Sequence, residues 1–193
     1  MEAVGPASDV ASLRLRLRDL LVERAIRYGH FVLASGQTSS YYVDKTQITL
    51  MGEGLYCLGR IILDQIEGME VQAVGGMTIG ADPIAGAVSA LGIAHGQHID
   101  AFIVRKERKE RGTQQRVEGP LPQGARVVVL EDVITTGGSA IDAIKAVEEE
   151  RDAEVVQVLS MVDRLQGGRE AIVEAGYDFT ALFTVEDLGV KVE

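Results

Sequence analysis

The stretch Arg126-Val127-Val128-Val129-Leu130-Glu131-Asp132-Val133-Ile134-Thr135-Thr136-Gly137-Gly138-Ser139-Ala140 joins an apolar run to two adjacent carboxylates, then to hydroxyls and glycines. Residues 127–130 are apolar and mostly β-branched, as in a strand buried on both faces of a parallel sheet. Beyond the loop, Ala140, Ile141, Ala143, Ile144 and Val147 recur at helical spacing, so Ser139 stands near a helix N-terminus. Backbone N–H groups there are unpaired and carry partial positive charge, and Gly137 and Gly138 let an anion come close. With the hydroxyls of Thr135, Thr136 and Ser139, the segment reads as a phosphate cradle.

Glu131 and Asp132 would repel a bare phosphate, so they must face another part of the same ligand. Ribose hydroxyls, or a magnesium ion with its waters, fit that role. The chain has no GxxxxGK[ST] segment, which argues against a Walker-type triphosphate site. The strand is expected to end at Leu130 and the acid pair to face solvent. Asp132→Asn should then reduce turnover and leave folding intact.

Composition narrows the class. At 193 residues, with 46% apolar and 25% charged residues, the chain is sized for one soluble domain. Residues 1–8, with Gly5 and Pro6, read as a flexible lead-in, and 9–193 as the domain. The single cysteine, Cys57, sits among Leu55, Leu58, Ile61 and Ile62 and reads as a core residue of a helix. No apolar run approaches the roughly 18 residues of a membrane span. No basic-then-apolar leader is visible, so cytoplasmic residence is expected.

The net charge of −10 argues against nucleic-acid or anionic-membrane partners. Against it, Arg105, Lys106, Arg108, Lys109, Arg111 and Arg116 place six of the nineteen basic residues in one loop. That concentration suggests a polyanionic small ligand. A solvated loop, partly neutralised by Glu107 and Glu110, is the bland alternative.

Hydrophobic spacing places a helix over 9–28, ended by Gly29, with Leu15 off its apolar face. Short strands at 31–33 and 41–45 flank a turn, and period-2 alternation turns one of Tyr41 and Tyr42 to the core. Helices at 53–67, 81–91, 139–150 and 170–175 alternate with strands at 71–75, 101–104, 126–130, 155–162 and 179–183. This order implies a doubly wound parallel sheet with its ligand crevice at the carboxyl ends of the strands. The Gly75-Gly76 turn, the basic loop, the Glu131 loop and Asp163-Arg164 all open there. On its own, Asp163-Arg164 reads as a surface ion pair.

Residues 129–139 resemble the phosphoribosyl pyrophosphate motif of type I phosphoribosyltransferases. Three further segments give the resemblance to the orotate phosphoribosyltransferases of that family. They are Phe31-Val32-Leu33-Ala34-Ser35-Gly36-Gln37-Thr38-Ser39-Ser40-Tyr41-Tyr42-Val43-Asp44, Val74-Gly75-Gly76-Met77-Thr78-Ile79-Gly80-Ala81-Asp82-Pro83-Ile84-Ala85 and Val104-Arg105-Lys106-Glu107-Arg108-Lys109-Glu110-Arg111-Gly112. With Val162-Asp163-Arg164, the match runs from about Gly29 to the C-terminus.

The resemblance implies a parallel sheet with flanking helices and a small N-terminal hood. It implies transfer of ribose 5-phosphate from phosphoribosyl pyrophosphate to orotate, giving orotidine 5′-monophosphate and pyrophosphate in pyrimidine (UMP) biosynthesis. Arg105, Lys106, Lys109 and Arg111 would meet pyrophosphate, with Arg105, Lys106, Lys109 and Asp132 as the catalytic set. Glu131, Asp132, Val133, Ile134, Thr135, Thr136, Gly137, Gly138 and Ser139 would hold the ribose phosphate. Thr135, Arg164, Tyr41 and Tyr42 would contact orotate, Arg164 through the carboxylate. Magnesium would ride on the substrate and waters near Glu131 and Asp132, with no direct protein ligand. A homodimer sharing the mobile loop across its interface is also implied.

Three positions depart from many members: Ala34 and Arg111, where lysine and histidine are common, and Thr78-Ile79-Gly80, where some carry lysine. The competing readings are a purine-base phosphoribosyltransferase and a non-catalytic nucleotide-binding regulator on the same fold.

Overall fold

Alternate residues of one buried strand feed two separate cores. Val128 and Leu130 pack with the N-terminal helices, while Val127 and Val129 pack against the opposite face. This strand, β6 (Arg126–Ile134), lies inside a six-stranded sheet. The computed structural model describes residues 4–32, 38–108 and 115–192.

The sheet runs β5 (Val117–Glu118), β4 (Asp100–Val104), β3 (Ala73–Met77), β6, β7 (Glu154–Asp163) and β8 (Phe179–Thr184). All neighbours are parallel except β4 and β5. Helices α1 (Val10–Leu20), α3 (Gly52–Gln65) and α4 (Asp82–Ala94) contribute to one core. Helices α5 (Gly138–Arg151) and α6 (Gly168–Glu174) supply the other. Burial on both faces explains why β6 reads as unbroken Val and Leu rather than alternating.

The N-terminal third differs from expectation. Helix α1 is capped by Asp9, whose carboxylate accepts from the Ser12 N–H at 2.8 Å. It ends at Leu20 and passes through a π-helical turn, Leu21–Ala25, into strand β1 (Ile26–Val32). Leu20, Leu21 and Ala25 are all fully buried in the main core. Gly29 is no helix stop: it lies in β1, where the register with β2 (Thr38–Val43) shifts between Tyr28 and Phe31. Residues 33–37, with Ala34 and most of the expected turn, lie outside the described residues.

The hood is therefore the β1–β2 hairpin alone. Leu13, Leu17 and Leu20 of α1 are fully buried in the main core, and Arg16 grips Glu53 of α3 through two contacts, at 2.7 and 3.1 Å. The Gly75-Gly76 pair sits inside β3, not in a turn, and β6 continues four residues past Leu130. Cys57 is buried on α3 and its thiol is pushed up to about 11, mainly by burial, as befits a core residue.

Because α1 belongs to the core, Leu17→Ala should cost about 2–5 kcal/mol. Urea unfolding would show a lower midpoint at unchanged slope. A loss below about 1 kcal/mol would instead make α1 a detachable cover.

Candidate active site

At the carboxyl end of β6 the strand carries Glu131 and Asp132, which are 9% and 1% exposed. The expectation of a solvent-facing pair is wrong: both residues remain in the ladder beside β7 and line an inner cavity. Asp132 Oδ1 accepts from the Val133 N–H at 2.7 Å, and Oδ2 meets Lys45 Nζ at 2.6 Å. Replacing Asp132 thus breaks a buried ion pair and will disturb stability as well as chemistry. Burial, then the charge of Asp132, raises the Glu131 carboxyl to about 8, while Lys45 opposes the shift.

Lys45 is the residue that the sequence reading missed. It is the N-cap residue of a short helix, α2 (Thr46–Thr49), directly after the hood strand. Its side chain is 38% exposed. A cavity of about 480 Å³ brings Lys45 together with Glu131, Asp132, Ser139, Lys106 and the Thr78-Ile79-Gly80 turn. Gly80 is required there, since a Cβ at this position would overlap Asp132 Oδ2.

The segment read as a phosphate cradle has the strand–turn–helix geometry expected of it. Gly137 caps α5 with φ of 80°, a left-handed conformation that suits glycine. Thr136, Gly138 and Ser139 are exposed at the helix start and Thr135 is half-buried. The first-turn N–H groups there have no intrahelical acceptor. Ile134 contributes differently: its side chain lies in the core and its carbonyl accepts from the Arg164 N–H at 3.0 Å. Val133 is packed against the other core, so neither of these two apolar side chains reaches the cavity.

A second cluster stands beside the cradle. Arg164, just past β7, is 6% exposed, so the surface-pair reading of Asp163-Arg164 fails. Its Nε donates to Tyr41 Oη and its Nη2 to Ser39 Oγ, both at 3.3 Å. The guanidinium lies 4.7 Å from the Tyr41 ring centre. Tyr41 is thus the buried member of the pair, and Tyr42 is exposed and packed on Phe31 at 5.6 Å. Asp163 is fully buried and accepts from the Leu165 N–H at 2.8 Å.

The basic loop is gathered only in part. Arg105 and Arg116 close its base: the Arg105 N–H donates to the Arg116 carbonyl at 3.0 Å, and Arg116 Nε returns a bond at 2.8 Å. Arg116 then pairs with Asp142 at 2.6 Å, and its backbone N–H meets Glu150. Its charge is committed to α5. Arg105 turns to Glu118 at 3.5 Å, and Arg108 lies 3.8 Å from Glu150. Of the two expected pyrophosphate contacts among the described residues, Arg105 and Lys106, the latter lines the cavity. Lys109 and Arg111 lie outside the described residues.

A raised Glu131 pKa means that the folded chain binds the extra proton. Its effect on stability is therefore unfavourable from the ordinary carboxylate range upward, growing until about pH 8. In ligand-free protein, Glu131→Gln should melt above the parent chain at pH 8–9, by about 2–4 °C per kcal/mol relieved. The gap should close toward pH 4. A gap that ignores pH in calorimetry would place the Glu131 proton elsewhere.

Known proteins match this geometry closely. No protein-family model matches the chain. Orotate phosphoribosyltransferase from a Nostoc species is 49% identical over 189 residues, covering 96% of this chain and 90% of the relative. That of Thermosynechococcus vestitus is 48% identical over 180 residues, covering 93% and 94%. The Mycobacterium tuberculosis orotate phosphoribosyltransferase, solved in complex with 5-phospho-α-D-ribosyl 1-diphosphate, superposes with a TM-score of 0.77 at 36% identity, covering 92% of this chain and 99% of that one. With identities this high over nearly the whole length, and a phosphate cradle, acid pair and buried arginine at one sheet edge, the chain belongs to the orotate phosphoribosyltransferase family.

Proposed function

We propose that this chain is an orotate phosphoribosyltransferase, a pentosyltransferase of pyrimidine biosynthesis. It transfers ribose 5-phosphate from phosphoribosyl pyrophosphate to orotate, yielding orotidine 5′-monophosphate and pyrophosphate. The observation that carries the choice of base is Arg164, buried against Ser39 and Tyr41 beside the cradle. A planar fork held at a site with so little water suits a carboxylate-bearing ring. A purine base offers no such carboxylate.

The residues divide the work by charge. The Thr135–Ser139 turn holds the 5′-phosphate on backbone N–H groups and hydroxyls. Glu131 and Asp132 accept from the ribose hydroxyls, most strongly when ionised, so substrate uptake favours loss of a proton from Glu131, whose pKa is raised by burial. As the bond from the anomeric carbon to pyrophosphate breaks, an orotate ring nitrogen bonds to that carbon and loses its proton, which the departing pyrophosphate can take up. Negative charge then grows on the leaving oxygens. Lys106 is already in the cavity to meet it. Arg105 must leave Glu118 to help, and Lys109 and Arg111 would approach from the loop. Magnesium bound to the substrate would add positive charge at the same oxygens.

Exclusion of water matters because the oxocarbenium-like centre would otherwise hydrolyse. A closing basic loop from a second subunit would provide it, so a homodimer is part of this proposal. Cytoplasmic residence is proposed with it. No helix among the described residues is long and apolar enough to cross a membrane.

An absorbance assay with orotate, phosphoribosyl pyrophosphate and magnesium should show orotate consumption, with purine bases inert. Arg164→Ala should lower kcat/KM for orotate by about 2–5 kcal/mol of transition-state stabilisation. Equal use of orotate by both proteins would remove Arg164 from base recognition.

Subunit sharing has its own test. Lys109→Ala, expected to cost about 10²–10³ in turnover, is mixed with Asp132→Asn under verified exchange. Half the dimers are then mixed, each with one intact site. About a quarter of parental activity should return. Activity at the mean of the two variants would keep each loop over its own site.

A further inference from the structure

The Thr78-Ile79-Gly80 turn borders the acid pair in the cavity. That turn carries no basic residue, and its Thr78 hydroxyl is spent on Asp82. Among the described side chains lining the cavity, Lys45 and Lys106 are the basic ones. Lys45 Nζ lies 2.6 Å from Asp132 Oδ2, the same oxygen that a Cβ on Gly80 would overlap. The ammonium and the turn are therefore neighbours across a single atom.

The stem of Lys45 rises from a fixed base. Its N–H donates to the Val43 carbonyl at 3.0 Å, and its carbonyl accepts from the Ile48 and Thr49 N–H groups at 3.0 and 2.9 Å. Four rotatable carbons beyond that base let the ammonium change partner with little cost to the backbone.

We propose that Lys45 is a pyrophosphate-binding residue. It shields Asp132 in the empty site and turns to the leaving group when ribose hydroxyls take that carboxylate. The assignment rests on the phosphoribosyl-transfer reading for the identity of the ligand. Its logic is local. On the ribose, the 2-hydroxyl and the pyrophosphate oxygen are carried by adjacent carbons. A cation beside the carboxylate that receives the hydroxyl is therefore beside the pyrophosphate as well. Once Asp132 is engaged, the half-exposed ammonium loses part of its partner, and the closest anion arriving is the substrate's own.

Titration calorimetry with phosphoribosyl pyrophosphate and magnesium tests this on the full chain. Lys45→Met should weaken binding by about 10- to 100-fold. Lys45→Arg should recover most of it, and the KM for orotate should stay within about twofold. In an Asp132→Asn background, where the pair is already broken, Lys45→Met should still weaken substrate binding. Should the methionine variant fold poorly, Lys45→Gln enters the same comparison.

Unchanged affinity for the substrate overturns the proposal. So does a loss that disappears in the Asp132→Asn background, which would leave Lys45 as a counter-ion only. Orotate turnover by the parent chain is read separately. If that chain binds phosphoribosyl pyrophosphate but consumes no orotate, the functional reading falls, while the Lys45 comparison still stands.

Discussion

Two ionisable carboxylates on consecutive residues of a strand, both shut off from solvent, need compensation. Without it, burial and mutual repulsion would keep at least one of them protonated or push the strand end outward. Lys45 supplies the compensation at 2.6 Å from Asp132, and Glu131 retains a raised pKa as the remainder of the cost. Because Lys45 belongs to the N-terminal segment, the acid pair can be buried only if that segment closes over the end of β6. Chemistry at the sheet edge and packing of the N-terminal hairpin are thus one problem, solved together.

Arg164 imposes the same condition from the other side. A guanidinium at 6% exposure must find acceptors, and β2 offers the Ser39 and Tyr41 hydroxyls and the Tyr41 ring. One short run of chain, from Ser39 to Lys45, therefore answers two buried charges on the main sheet. These contacts are made before any ligand arrives, so Arg164 is aimed with less conformational entropy left to lose. The hydroxyl contacts at 3.3 Å are long enough that a carboxylate, with full negative charge, would compete well for the guanidinium.

What could be read from residues 126–140 was a strand, a turn and a helix start, because β-branched runs, paired glycines and helical spacing are local signals. The apparent end of β6 at Leu130 was a false stop. Glutamate and aspartate look like loop residues when their compensating lysine is remote in sequence. Gly29 misled in the same way, since glycine marks a helix end and a bulge equally well. The π-helical turn at Leu21–Ala25 has no local sequence signal, since Leu20 and Leu21 suit the apolar face of a regular helix equally well. Arg164 and Tyr41 meet across 123 residues. No spacing rule could join them, and only the family resemblance pointed there. Strand β5 is two residues long and leaves no periodicity to detect.

Helix α5 ties two parts of the site together. Its N-terminus, opened by Gly137 and Gly138, is the segment proposed to hold phosphate. One turn further, Asp142 binds Arg116, and near the far end Glu150 takes the Arg116 and Val117 N–H groups. The base of the basic loop is thereby fastened to the helix that starts at the glycine turn. Lys106, one residue inside that base, lines the cavity. The pairing of Arg116 with α5 commits that cation to structure and fixes the base of the loop from which Lys106 enters the cavity.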